Sequence, residues 1–299
     1  DKLTFDDTIS PTGGSNLVYG YQRLETPSTA AVRQINSEYS PNEAKRTKCT
    51  ASPVILGGSF QIDRVIAQTS GAINEMNFQI KEKTKAGANY FHNLVINGTS
   101  ASTGTGYVPN TFDGLKKILT GKSTEMTTDI DISTSALLDS NYNALLDELD
   151  TFIALLAAKP DVLMMNSKML TKVKSAARRA GYYDRNKDDF GRTVETYNGI
   201  ILMDAGQYYN GSTTEDVVST STPGSDTYGT TDIYAAKLGL DAFHGISVDG
   251  SKMLKTYLPD LQAPGAVKTG EVELIAGAVL KNSKMAGVLK GIKLLGKTA

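Results

Sequence analysis

The chain has a single cysteine, two histidines and no tryptophan among 299 residues. Cys49 alone cannot close an internal disulfide, so nothing staples the fold and nothing argues for an oxidising compartment. With only His92 and His244 available, a His-based triad, a two-His iron site or a Cys/His zinc site would have to be built from almost nothing. His92 falls in a helical pattern and reads as a surface or packed histidine. His244 sits in DAFHGISVDG, between an expected strand and a turn, and also reads as structural. No charge of either sign is in excess: 31 Lys+Arg stand against 32 Asp+Glu. That balance excludes the basic surplus by which dedicated nucleic-acid or anionic-membrane binders neutralise phosphate. No window approaches the ~20 consecutive apolar residues of a membrane helix, which predicts a soluble chain. Residues 1–16 lack the basic start and apolar core of a signal peptide.

Four apparent motifs fail on their details. Gly121-Lys122-Ser123 resembles the end of a phosphate-binding loop, but the required first glycine position holds Lys116, and LKKILT before it looks helical. Asp184, Asn186, Asp188 and Glu195 have the spacing of a calcium-binding helix-loop-helix. The sixth position is Asp189 where the turn wants glycine, and TVETYNGIILMD downstream reads as strand. Asn97-Gly98-Thr99 and Asn210-Gly211-Ser212 match the glycosylation pattern and read as turns. Lys168, Lys172, Lys174, Arg178 and Arg179 gather on one expected helix without interleaved aromatics, as a solvated face does. No catalytic, cofactor-binding or metal-binding residue is therefore expected.

The positive signals are elements. LVYGYQRL, AAVRQI and CTASPVILGGSFQI are strand candidates around a polar tip at residues 37–48. Such a two-stranded arm buries no core of its own and needs another surface to lie on. From Ile73 to Ile96, apolar or small residues recur at Ile73, Met76, Ile80, Gly87, Phe91 and Leu94, the stripe of an amphipathic helix. Lys81, Glu82, Lys83 and Lys85 are assigned to its other face. At 1.5 Å per residue the helix spans about 36 Å, with Asn97-Gly98 as a left-handed stop. After the loop TSASTGTG come a short helix at 113–119 and a second long one over 135–158, ended by Pro160. DVLMMN reads as a buried strand, 167–180 as a helix stopped by Gly181, and NGIILMD, TDIYAAKLGL, EVELIAGAVL and AGVLKGIKL as strands. The order is α+β rather than a regular βαβ alternation.

Four stretches, in this order, resemble the major capsid proteins of tailed bacteriophages, whose Hong Kong-type fold is shared with encapsulins and the herpesvirus capsid floor. They are GSFQIDRVIAQTSGAINEMNFQIKEKTKAGANYFHNLVING, TFDGLKKIL, DVLMMNSKMLTKVKSAARRAG followed by GRTVETYNGIILMDAG, and ELIAGAVLKNSKMAGVLKGIKL. Asn198-Gly199-Ile200 departs from the Gly-x-Pro of many relatives. The resemblance implies an N-terminal arm over 1–28 and an extended loop over 29–60. It implies a peripheral domain from 61–124 and 251–299 with its spine helix at 73–96, and an axial domain over 125–250.

It also implies a structural protein without catalysis or cofactor, self-assembling through pentamers and hexamers into an icosahedral shell around double-stranded DNA held non-specifically. Its place would be the virion capsid, assembled in the host cytoplasm. Portal protein, scaffold or protease, and decoration proteins are the implied partners, with no membrane. A start at Asp1 fits removal of an N-terminal scaffolding segment and fits equally the omission of preceding residues. Lys45 and Lys48 stand where some relatives cross-link, although no cross-link is expected here. Three rival readings stay open: an encapsulin-like compartment, an α+β enzyme, and a tail or surface-array subunit.

Overall fold

Strand pairing begins at the N-terminal end. The computed structural model describes residues 3, 5–7, 18–68, 75–100, 111–181, 184–187, 193–248 and 254–297. In chain order the first elements are β1 (Phe5–Asp7), β2 (Tyr19–Thr26), β3 (Lys45–Ala51), β4 (Val54–Asp63), the short α1 (Arg64–Gln68), the long α2 (Glu75–Asn97) and α3 (Leu115–Leu119). Then follow β5 (Glu125–Thr127), α4 (Ser135–Ala154), β6 (Val162–Met165), α5 (Ser167–Ala180), β7 (Asp184–Lys187), β8 (Thr193–Tyr197) and β9 (Ile200–Asp204). The chain closes with β10 (Gln207–Tyr209), β11 (Thr214–Asp216), β12 (Gly229–Ala236), β13 (Phe243–Ser247), β14 (Leu254–Tyr257), β15 (Val267–Leu280) and β16 (Ala286–Leu295).

Among the described residues two large sheets carry the fold. In the first, β15 pairs antiparallel with β4 from Val267↔Asp63 to Ala276↔Val54, with β14 at Leu254↔Leu274 to Tyr257↔Glu271, and with β13 at Phe243↔Leu280 to Ile246↔Gly277. β1 adds a parallel edge to β13. The second sheet has the order β5-β16-β12-β6-β9-β8-β7. The last strand, β16, expected with residues 251–299, is hydrogen-bonded into this second sheet between β5 and β12.

Both faces of the second sheet are covered at β6, which is why its residues VLMM are apolar throughout. Leu163 and Met165 face a core made by α4 and α5, with Leu145, Leu149, Phe152, Met169 and Val173. Val162 and Met164 point the other way, into a core shared with Phe91, Leu94 and Ile96 of α2, Leu115 and Leu119 of α3, and Val54 and Leu56 of β4. The C-terminal end of α2 thus lies between the two sheets.

The helix stripe has the expected phase, since Met76, Ile80, Gly87, Phe91 and Leu94 are all shielded to some degree. Only its last turns are fully buried, at Phe91, Leu94, Val95 and Ile96. Lys83, assigned to the solvent face, instead lies over β4, where its side chain sits 3.5 Å from the place a Cβ on Gly58 would occupy. Ile73 lies outside the described residues, as do most of the TSASTGTG loop and residues 188–192.

Three expected boundaries move for identifiable reasons. AAVRQI forms no strand, because the hairpin of β2 and β3 closes between Thr26 and Lys45 and leaves it beyond the last pair, with no partner among the described residues. α4 stops at Ala154 rather than 158, since the Ala157 N–H donates to the Lys284 carbonyl (2.9 Å) instead of continuing the helix. Gly98 is not left-handed; glycine is needed there because a Cβ would collide with the carbonyl oxygens of Leu94 and Phe112. The tight β8–β9 turn does need positive φ, which Asn198 (50°) and Gly199 (73°) supply.

One buried side chain ties α5 to this sheet. Asn166 caps the helix by accepting from Met169 N (2.8 Å), while its Nδ2 reaches Val218 O (3.1 Å), Thr220 Oγ1 (3.0 Å) and Thr231 Oγ1 (2.8 Å). Asn166→Ala removes the cap and strands buried acceptors, so it should cost about 2–4 kcal/mol. Urea denaturation checks this, with the exposed Thr171→Ala as a control expected to change little.

Candidate assembly interface

The described residues of the single motifs fall in ordinary secondary structure. Gly121-Lys122-Ser123 forms a turn after α3 rather than a loop before a helix, and the Gly121 N–H donates to the Glu125 carboxylate. Asp184 and Asn186 lie on β7 and Glu195 on β8, which pair antiparallel, and Glu195 is bridged to Lys174. Of the basic residues on α5, Arg179 is 2.6 Å from Asp139 and Lys172 reaches the Ser133 carbonyl (3.5 Å). Asn97 ends α2 and donates to Val217 O (2.7 Å), while Asn210 accepts from Ser212 N and Thr213 N in the β10–β11 turn. His92 is exposed, whereas His244 is buried on β13 with its ring 5.8 Å from that of Tyr19. Among the described residues no three His, Cys, Asp or Glu side chains converge as a metal site would need.

What the surface does offer is an arm. The β2–β3 hairpin is tied to the body near its base: Arg23 Nη2 donates to Leu280 O (3.2 Å), and the Lys281 ammonium lies 5.8 Å from the Tyr19 ring. Beyond the base, residues 26–48 are exposed. At the tip Val32 is fully exposed, Ile35 is 92% exposed and Tyr39 59%. Tyr39 is met on one face by the Arg33 guanidinium, 5.7 Å from its ring centre, while Val32 and Ile35 stay bare among the described residues, and exposed apolar groups of this kind mark contact surfaces. Their isolation inside NSEYSPNEAKRTK and AAVRQI is the available signal, and reading AAVRQI as a strand hides it. The N-terminal half of α2 adds Phe78, 46% exposed.

The body behind this arm carries a partly shielded charged seam where β5 meets β16. Lys290 is paired with Glu125, and that bond, with the Gly121 N–H, holds the Glu125 carboxyl below the ordinary carboxylate range. Nearby, burial pushes the Asp232 carboxyl up, against the pull of the Gly291 N–H and of the Lys290 and Lys116 ammoniums. Burial, with Asp232 and Glu125 close by, also raises the Tyr234 hydroxyl. A depressed folded pKa means that Glu125 stabilises the fold above its unfolded value and loses that contribution as the pH falls through the folded one. Glu125→Gln, which cannot titrate, should be less stable than wild type at about pH 7 and lose less stability on going to about pH 3. Thermal melts across that range would exclude the pair as an acid-sensitive contact if the difference stayed constant.

The architecture has known counterparts. The chain superposes on the holo-SrpI encapsulin complex from Synechococcus elongatus with a TM-score of 0.66 at 12% identity, covering 99% of this chain and 88% of that one. It matches the capsid of a native GTA particle with a TM-score of 0.62 at 12% identity, over 97% and 88% of the two chains. A Mycobacterium phage Bobi structure gives 0.55 at 11% identity, over 96% and 88%. At such identities the likeness establishes the fold, the Hong Kong-type capsid fold. No curated protein sequence matches. The family model described as SU10 major capsid protein matches residues 43–201. That stretch runs from the outer strand of the arm through the spine helix, α4 and α5 to the start of β9, more than half of the chain, and by it the protein belongs to the SU10 major capsid protein family.

Proposed function

We propose that this capsid protein closes an icosahedral shell of pentamers and hexamers around double-stranded DNA, and that it does so without catalysis or cofactor. The observation that carries the reading is the arm: a hairpin tied to the body near its base, whose tip leaves Val32, Ile35 and Tyr39 exposed among the described residues. On a neighbouring subunit each tip side chain would gain roughly 1.5–3 kcal/mol if fully buried. Repetition of one such heterologous contact closes rings when its rotation closes.

In this reading residues 1–28 and 29–60 are the arm and extended loop, and 61–124 with 251–299 the peripheral domain around the spine helix. Residues 125–250 form the axial domain directed at the five- and six-fold axes, with β16 contributing to its sheet. DNA would be held non-specifically and in a salt-dependent way, in keeping with a net charge of −1. Assembly would take place in the host cytoplasm, with portal, scaffold or protease and decoration proteins as transient or external partners. The encapsulin likeness favours one second reading, a compartment around a protein cargo.

Negative-stain microscopy of the purified protein should show closed particles, and nuclease-resistant DNA inside them would favour the virion over the compartment. The combined Val32→Ser, Ile35→Ser and Tyr39→Ser variant should melt within about 1–2 °C of wild type, because exposed substitutions cost little. It should nevertheless yield only monomers or small rings. Normal particles from that variant would overturn the role given to the tip.

A further inference from the structure

Under the base of the arm lies a cleft of about 430 Å³. The hairpin side contributes Arg23 and Ser52, the α3 side contributes Asp113, Lys117 and Lys122, and β15 supplies Val279. Its charge is unbalanced, with three cations against one carboxylate. That carboxylate is already engaged: Asp113 Oδ1 lies 2.8 Å from Lys117 Nζ and accepts from Ser100 N (2.7 Å) and Ser100 Oγ (2.6 Å). Among the described residues Arg23 Nη2 donates to two neutral oxygens, Tyr21 OH (3.0 Å) and Leu280 O (3.2 Å), and its buried Nε meets no acceptor. Lys122 meets no carboxylate among the described residues. A guanidinium presents a rigid fork of donors that suits a carboxylate or phosphate, and a buried donor left unpaired is costly.

We propose that this cleft is an oxyanion site, taking a carboxylate or phosphate group between the guanidinium of Arg23 and the ammonium of Lys122. One ligand-holding group rides on the hairpin and the other on the body, so the bound anion fixes the angle at which the arm leaves its subunit. Two sources share this chemistry: free inorganic phosphate, and an acidic side chain of a second copy of the chain in the shell.

Calorimetric titration of the full chain with inorganic phosphate, at ionic strength held constant with chloride, separates the sources. Saturable binding at one site per chain, weakened about tenfold in both Arg23→Gln and Lys122→Gln, establishes the site with a free anion. Lys122→Gln is the cleaner variant, since its side chain makes no bond that the hairpin depends on. If phosphate does not bind but Lys122→Gln cuts the yield of closed particles about tenfold with an unchanged melting temperature, the anion is the neighbour's carboxylate. Phosphate binding that both variants leave intact overturns the proposal, as does the absence of any effect in both arms. The titration does not require assembly, so a chain that binds phosphate as expected yet forms no shells counts against the capsid reading and not against this site.

Discussion

The ladder between β4 and β15 is the constraint from which the rest of the molecule takes its position. It runs unbroken from Val54↔Ala276 to Asp63↔Val267. On its inner face Val54, Leu56, Phe60, Ile62 and Val272 are buried, and α2 lies across them. Each of those side chains is worth about 1.5–3 kcal/mol when fully buried, so a slip of one residue, which would turn all of them outward, is strongly opposed. At its far end the Arg64 N–H donates to Ala266 O (2.9 Å), which closes the register. Because β4 follows β3 after only Ser52 and Pro53, the same ladder fixes where the arm leaves the body.

The second sheet is tied to the first by the spine helix and by the chain itself. β15 turns through residues 283–285 into β16, so the central strand of one sheet is followed directly by an inner strand of the other. The last turns of α2 fill the space between them. Tyr90 meets the Tyr208 ring at 6.3 Å and Asn97 reaches the Val217 carbonyl, so the β10–β11 hairpin is clamped to the same helix.

Against this rigid body the arm stands out by having few contacts of its own. A hairpin whose tip places Val32, Ile35 and Tyr39 in water is poorly explained by the stability of a single chain. In the shell proposed above, a neighbouring copy would cover that tip. The cleft beneath the hairpin base, with cations drawn from both sides, lies at the junction where an arm's direction would have to be set.

Much of the fold could be read from periodicity, since local chemistry and tertiary packing agree over long stretches. The boundaries of α5 follow from Asn166 as cap and Gly181 at φ 78°, and α4 buries Leu138, Leu145, Leu149 and Phe152 at helical spacing. The dismissal of the phosphate-loop and calcium-loop motifs also needed only spacing, because those chemistries demand glycine at fixed positions. The sequence could not show that Lys83 faces a sheet, which depends on Gly58 of a strand some 25 residues earlier leaving room for it. Nor could it show that residues 30–35 have no strand to pair with, or that β16 crosses into the second sheet. These outcomes depend on partners distant in the chain, and β pairing is decided by which edges meet in space. By itself the sequence determined the elements, the α+β class and the absence of a familiar catalytic motif. Tertiary structure alone decided which apolar side chains stay exposed, because burial depends on partners distant in the chain.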